Sequence, residues 1–168
     1  SIVTQHLAII KQSKIEGLLA IMSQLRDREN GCEWDKQQTF KSIAPFTIEE
    51  AYEVVDAIDR EDITDLKEEL GDLLLQVVFL SQIADEDNLF TFDDVAEAIS
   101  NKLIRRHPYV FSNQQSHTPE DQMNQWEEIK QNERSLKKQE GTLDGIANNL
   151  PALKRSQKIQ DRASKAGF

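Results

Sequence analysis

Two short acidic runs hold the side chains best suited to chemistry. One is Glu49-Glu50-Ala51-Tyr52-Glu53, the other Glu68-Glu69-Leu70-Gly71-Asp72. Within each run carboxylates recur at i+3 or i+4, a spacing that points them off one face of a helix. Like charges so placed repel by a few tenths of a kcal/mol per pair. Two such faces brought together need a cation between them. An all-oxygen donor set suits a hard ion, Mg2+ or Mn2+. Hard divalent ions held by carboxylates commonly handle phosphate. A solvated surface is the competing reading of any single acidic run. Here two runs fall on consecutive helices, each beside an apolar stripe, with a short turn near residues 59–62 between them. That turn forces the helices antiparallel, which favours one shared metal site.

Other metal chemistries fail on spacing. A di-iron bundle needs Glu-x-x-His, but Glu53 follows Glu50 and Asp72 follows Glu69 at that interval. The stretch from Asp85 lacks a calcium loop's glycine at its sixth place (Phe90) and Glu at its twelfth (Ala96). Cys32, His6, His107 and His117 show no zinc-ligand spacing. Cations for a phosphate are present: Lys102, Arg105 and Arg106 crowd within about one turn. The alternative for them is to complement a helix C-terminus. Trp126, with Lys130 one turn on, either stacks on a base or covers the core edge. Trp34 offers the same pair of readings, with a loop plug as the plain one.

The elements that must position these groups read as helices almost throughout. Ile15, Leu18, Leu19, Met22 and Leu25 mark a helix over 15–28. Residues 29–46, with Gly31, Trp34 and Pro45, read as a loop. Thr47 is the expected N-cap of a second helix, with Glu50 in capping-box position, running to about Ile58. Asp62 or Thr64 caps a third, continuing to about Ala84. Its Leu70, Leu73, Leu74, Leu75, Val77, Val78, Phe79 and Leu80 wrap most of the circumference, as in a helix central to a bundle or shared with a partner. Gly71 within it points to close helix packing, with close approach of a ligand as the alternative. Further helices are expected over 92–106, 119–138 and 151–166, with a polar loop over 107–118.

Composition sets the class. The chain has 168 residues, enough for one modest core, with 30 acids against 20 basic residues and a net charge of −10. That balance argues against a general binder of nucleic acid or of an anionic membrane. The lone cysteine, Cys32, allows no internal disulfide and fits a cytoplasmic setting. The longest apolar run, Leu73 to Leu80, is too short to span a bilayer.

The segment Arg26-Asp27-Arg28-Glu29-Asn30-Gly31-Cys32-Glu33-Trp34-Asp35-Lys36-Gln37-Gln38-Thr39 resembles the opening signature of the MazG-type nucleoside triphosphate pyrophosphohydrolases. The acidic runs match that family's EExxE and later ExxD. Arg105-Arg106-His107-Pro108-Tyr109-Val110-Phe111 and Trp126-Glu127-Glu128-Ile129-Lys130 resemble it too. The resemblance covers roughly residues 15–168. It implies an all-α bundle completed by oligomerisation, and hydrolysis of an NTP to NMP and pyrophosphate with Mg2+ (or Mn2+). It implies Glu50, Glu53, Glu69 and Asp72 as metal ligands, with Glu49 and Glu68 behind them or orienting water. Lys102 and Arg106 would meet phosphates, and Trp126 and Lys130 the nucleotide. The expected organisation is an N-terminal extension (1–14), a MazG-like helical domain (15–138), and a connector and helix (139–168) leading toward an absent second repeat. The expected partners are nucleoside triphosphates and further copies of the chain, without membrane or direct nucleic-acid binding. The alternative function is a nucleotide-binding or dimerisation module with little hydrolytic activity of its own.

Overall fold

The computed structural model describes residues 13–113, 115, 118–137 and 161. The expected N-terminal extension, apart from Ser13 and Lys14, lies outside the described residues, as do the connector and last helix apart from Asp161. Among the described residues every regular element is a helix. The chain divides into two compact units, residues 1–99 and residues 100–168.

The first unit opens with α1 (Lys14–Leu25), whose N-cap Ser13 accepts from the Glu16 N–H at 3.2 Å. α1 stops short of the expected Arg28 because Asp27 turns the chain. Its Oδ1 accepts from the N–H groups of Glu29 (3.1 Å) and Asn30 (2.7 Å). The Cys32 N–H then returns to the Leu25 carbonyl at 2.8 Å. Gly31 is required here: a Cβ would stand 2.4 Å from the carbonyl oxygens of Asp27 and Leu25. A short α2 (Glu33–Lys36) follows.

α3 (Phe40–Asp59) begins well before the expected Thr47. Thr39 accepts from the Ser42 N–H at 3.2 Å, and Ser42 Oγ accepts from the Thr39 N–H at 2.8 Å, a reciprocal capping box. Pro45 lies inside the helix, so the expected loop over 29–46 holds α2 and the first turns of α3. Thr47 is no cap; its hydroxyl faces the Ile43 carbonyl at 3.4 Å. α3 ends in a Schellman motif: the Asp62 N–H reaches the Ala57 carbonyl and the Glu61 N–H that of Ile58, both at 3.0 Å. Glu61 takes a φ of 55° to do so. Asp62 then caps α4 (Ile63–Glu86) through the Asp65 N–H at 3.0 Å. So tight a turn makes α3 and α4 antiparallel neighbours along their lengths.

α4 is the central helix of this unit, packing on both α3 and α1. The core joins Met22 of α1, Ile43 of α3, and Val78, Phe79 and Ile83 of α4, edged by Leu18, Leu19, Leu25, Leu74, Leu75, Leu80 and Phe92. The apolar girdle expected on α4 is uneven. Leu70 and Val77 are exposed, while polar Gln76 and Ser81 are buried. Gly71 faces open space in the chain, with nothing within 4 Å of an added Cβ, so packing inside the chain does not require it. Arg26 ties the opening loop to this core. Its side chain, 9% exposed, pairs with Glu86 at 2.7 Å and donates to the carbonyls of Asp35 (2.6 Å) and Gln38 (3.2 Å). It also lies 5.6 Å from the centroid of the Phe79 ring.

α5 (Phe92–Arg106) starts on a second reciprocal cap, Thr91 with Asp94, and ends in its two arginines. In the second unit, the expected loop over 107–118 contains a short α6 (Pro108–Phe111), followed by α7 (Pro119–Leu136) capped by Thr118. Among the described residues no helix is long and apolar enough to cross a membrane.

Candidate metal centre

The α3–α4 hairpin brings the two acidic runs together. Glu50 of α3 and Glu69 and Asp72 of α4 each place a carboxylate oxygen within 4.8 Å of the other two. The turn at the hairpin's end is what sets this register. Arg60 binds Asp56 at 2.8 Å and Asp62 at 3.4 Å, and also engages Asp65. Its guanidinium therefore gathers acids from both arms and is held strongly in its charged form by Asp56 and Asp65.

Electrostatics show the strain of the cluster. Burial, then the charges of Asp72, Glu49 and Glu53, push the Glu50 carboxyl above its ordinary value. Burial, then Asp65, Asp72, Glu53 and Glu50, do the same to Glu69. Glu53 stands outside the three-residue group, yet its charge bears on both glutamates. Glu49 and Glu68 are exposed, and of the two only the charge of Glu49 is felt in the cluster, at Glu50. A hard divalent cation would relieve this repulsion. The donors are all oxygen, the ligand type that Mg2+ takes at about 2.0–2.1 Å, and the three lie close enough together to converge on one ion. The residues present therefore fit such an ion.

The remaining expected site residues lie in the second unit. Lys102 and Arg106 are half-buried on the last turns of α5. Arg106 donates through Nε (3.1 Å) and Nη2 (2.8 Å) to Glu133 Oε2. Trp126 and Lys130 meet: the ammonium lies 4.0 Å from the ring centroid and 3.1 Å from Glu127 Oε1. Glu133 escapes the reading of motifs. The signal for it was its helical register, since Trp126, Lys130 and Glu133 fall at i, i+4 and i+7 on α7. In the first unit, Trp34 meets Phe46 and Phe79 edge-on at ring centroid distances of 5.8 and 6.4 Å, yet stays 52% exposed. It is a half-open aromatic ledge rather than a plug.

Residues 38–111 match the MazG nucleotide pyrophosphohydrolase domain. That segment contains both acidic runs, Lys102 and Arg106. The chain belongs to the MazG family. It is 54% identical over 156 residues to the nucleoside triphosphate pyrophosphohydrolase of Escherichia coli K12, covering 93% of this chain and 59% of that protein. It is 47% identical over 153 residues to the nucleoside triphosphate pyrophosphohydrolase/pyrophosphatase MazG of Thermotoga maritima, covering 91% and 58%. The chain thus spans less than two thirds of the length of these relatives. The crystal structure of a mazG-related protein from Thermotoga maritima superposes with a TM-score of 0.58 at 25% identity, over 69% of this chain and 98% of that one. The chain therefore shares that all-α fold.

Proposed function

We propose that this MazG chain hydrolyses nucleoside triphosphates to the monophosphate and pyrophosphate. The observation that carries the proposal is the carboxylate triad from both arms of the hairpin, inside the segment matching the family. Glu50, Glu69 and Asp72, with Glu53 beside them, would hold Mg2+, or Mn2+ in its place. When bound, such an ion supplies charge neutralisation at the phosphates and a lower pKa for attacking water.

The chain's own groups do the rest. Glu49 and Glu68, next to Glu50 and Glu69 in the sequence, orient the water toward the α-phosphorus and accept its proton. The water oxygen bonds to that phosphorus as the bond to the bridging oxygen breaks, and pyrophosphate leaves. Lys102 and Arg106 hold the outer phosphates through charge-assisted hydrogen bonds. Trp126 carries the base, and Lys130 the adjoining polar edge. The name of the Escherichia coli relative supports this substrate class. The same reading includes self-association, because apolar side chains stay exposed on α3 and α4.

The test is a panel of canonical and damaged triphosphates with Mg2+, reading pyrophosphate and monophosphate together. Equimolar products that vanish with EDTA and with Asp72→Asn are expected. A second reading, a nucleotide-binding and dimerisation module, rests on the apolar side chains that α3 and α4 leave exposed. Nucleotide-dependent thermal stabilisation without pyrophosphate release would establish it instead.

A further inference from the structure

Among the described residues of the second unit, Glu133 makes the most connected ion pair. Its Oε1 accepts from Nε (3.2 Å) and Nη2 (3.1 Å) of Arg105. Its Oε2 accepts from Nε (3.1 Å) and Nη2 (2.8 Å) of Arg106. One carboxylate thus fixes two guanidiniums of α5, each along its Nε–Nη2 edge. Each guanidinium keeps its Nη1 edge for another acceptor. Two cations against one anion leave a net positive charge at the site. Glu133 also shares a face of α7 with Trp126 and Lys130, which are already in contact. The one carboxylate therefore joins a phosphate-type pair of cations to an aromatic–ammonium pair.

We propose that Glu133 is a positioning residue for a nucleoside triphosphate: it fastens the Trp126–Lys130 face of α7 to Arg105 and Arg106, so that base and phosphates are met at once. The proposal rests on the reading of these side chains as nucleotide contacts. Its physical basis is preorganisation. An arginine already held by a carboxylate has less rotamer freedom to lose when a phosphate arrives. The hydrogen bonds from Arg106 and then Arg105 keep Glu133 ionised by holding its carboxyl below the ordinary carboxylate value. A plain surface ion pair would contribute little to stability, and coupling two ligand contacts is a use that such a pair can serve.

The test compares two probes on the same chain: inorganic pyrophosphate, and a triphosphate with a non-hydrolysable α,β-methylene bridge. Both are titrated calorimetrically with Mg2+. Glu133→Gln is expected to weaken the triphosphate analogue about tenfold, while pyrophosphate binds as before or tighter because a negative charge is gone. Trp126→Ala should then cost less in the Glu133→Gln background than alone, since the base contact is no longer aligned. Glu133→Asp, which keeps the charge on a shorter arm, should show the same selective loss at smaller amplitude, and serves if the Gln variant fails to fold. Equal losses for both probes, which would mark a structural prop, overturn the proposal. So does tighter triphosphate binding, which would make Glu133 a competitor of phosphate. A wild-type chain that binds neither probe overturns the nucleotide reading and this proposal together. Wild-type binding with no effect of Glu133→Gln overturns this proposal alone.

Discussion

The glutamates of the centre are held against their preference, and this has a measurable sign. A carboxyl whose folded pKa is raised disfavours folding once it ionises. Its penalty is absent below the unfolded pKa and grows as pH rises toward the folded one. Glu50 and Glu69 both behave so, through burial and neighbouring acids. In EDTA, Glu69→Gln should therefore stabilise the chain relative to wild type near neutral pH. The difference should vanish below the ordinary carboxylate range. Urea denaturation at a series of pH values checks it, and a difference independent of pH would refute the repulsion. A second residue is also costly. Gln76 is 6% exposed, and its Oε1 has no partner. Its Nε2 reaches the Asp72 carbonyl only at 3.5 Å. An unsatisfied buried acceptor costs about 1–3 kcal/mol. Gln76→Met, similar in volume, should raise the urea midpoint by an equivalent amount. The acids were legible in the sequence because helical spacing is local. The orphaned amide was not, since burial depends on how helices far apart in the sequence pack on α4.

At the scale of elements, the caps decide where helices begin. Thr39→Ala removes one half of the α3 capping box and should cost about 1 kcal/mol, read from thermal unfolding. The Schellman turn between α3 and α4 offers the opposite change. Glu61 holds a left-handed backbone, which costs an L-residue about 1–2 kcal/mol. Glu61→Gly should recover part of that and raise the melting temperature. Asn88, in the matching place after α4, tolerates the same φ and should gain little. The start of α4, with Asp62 one of its two expected caps, and the start of α7 at Pro119 were readable from sequence. The start of α3 was not. Pro45 reads as a breaker, and the cap at Thr39 lies ahead of the apolar rhythm. In bonds across long sequence separations, Arg26 to Glu86 or Arg106 to Glu133, nothing local names the partner.

For the whole molecule, the exposed rows are the guide. α3 leaves Ile48, Tyr52 and Val55 in solvent, and α4 leaves Ile63, Leu70 and Val77. Sedimentation at micromolar concentration is expected to show at least a dimer. Val77→Asp, at an exposed position, should dissociate it and leave each chain folded. Val78→Asp, at a fully buried one, should unfold it. A folded dimer of the Val77 variant would place the interface elsewhere. Gly71→Ala adds a further reading. The chain itself has room for the methyl group, so a monomer should gain about 1 kcal/mol of helix propensity. A loss would show that a second copy or a ligand comes close there. The burial of α4 has one more consequence, for tolerance to mutation. Over its last turns Val78, Phe79, Ser81, Ile83 and Ala84 are all buried and cover every side of the helix, whereas its first turns keep an open face. In a saturation scan, α4 should therefore lack the helical rhythm of permitted and forbidden sites that a surface helix shows. Permissiveness should fall in a step along its length, leaving its C-terminal half as the stretch of chain least free to vary.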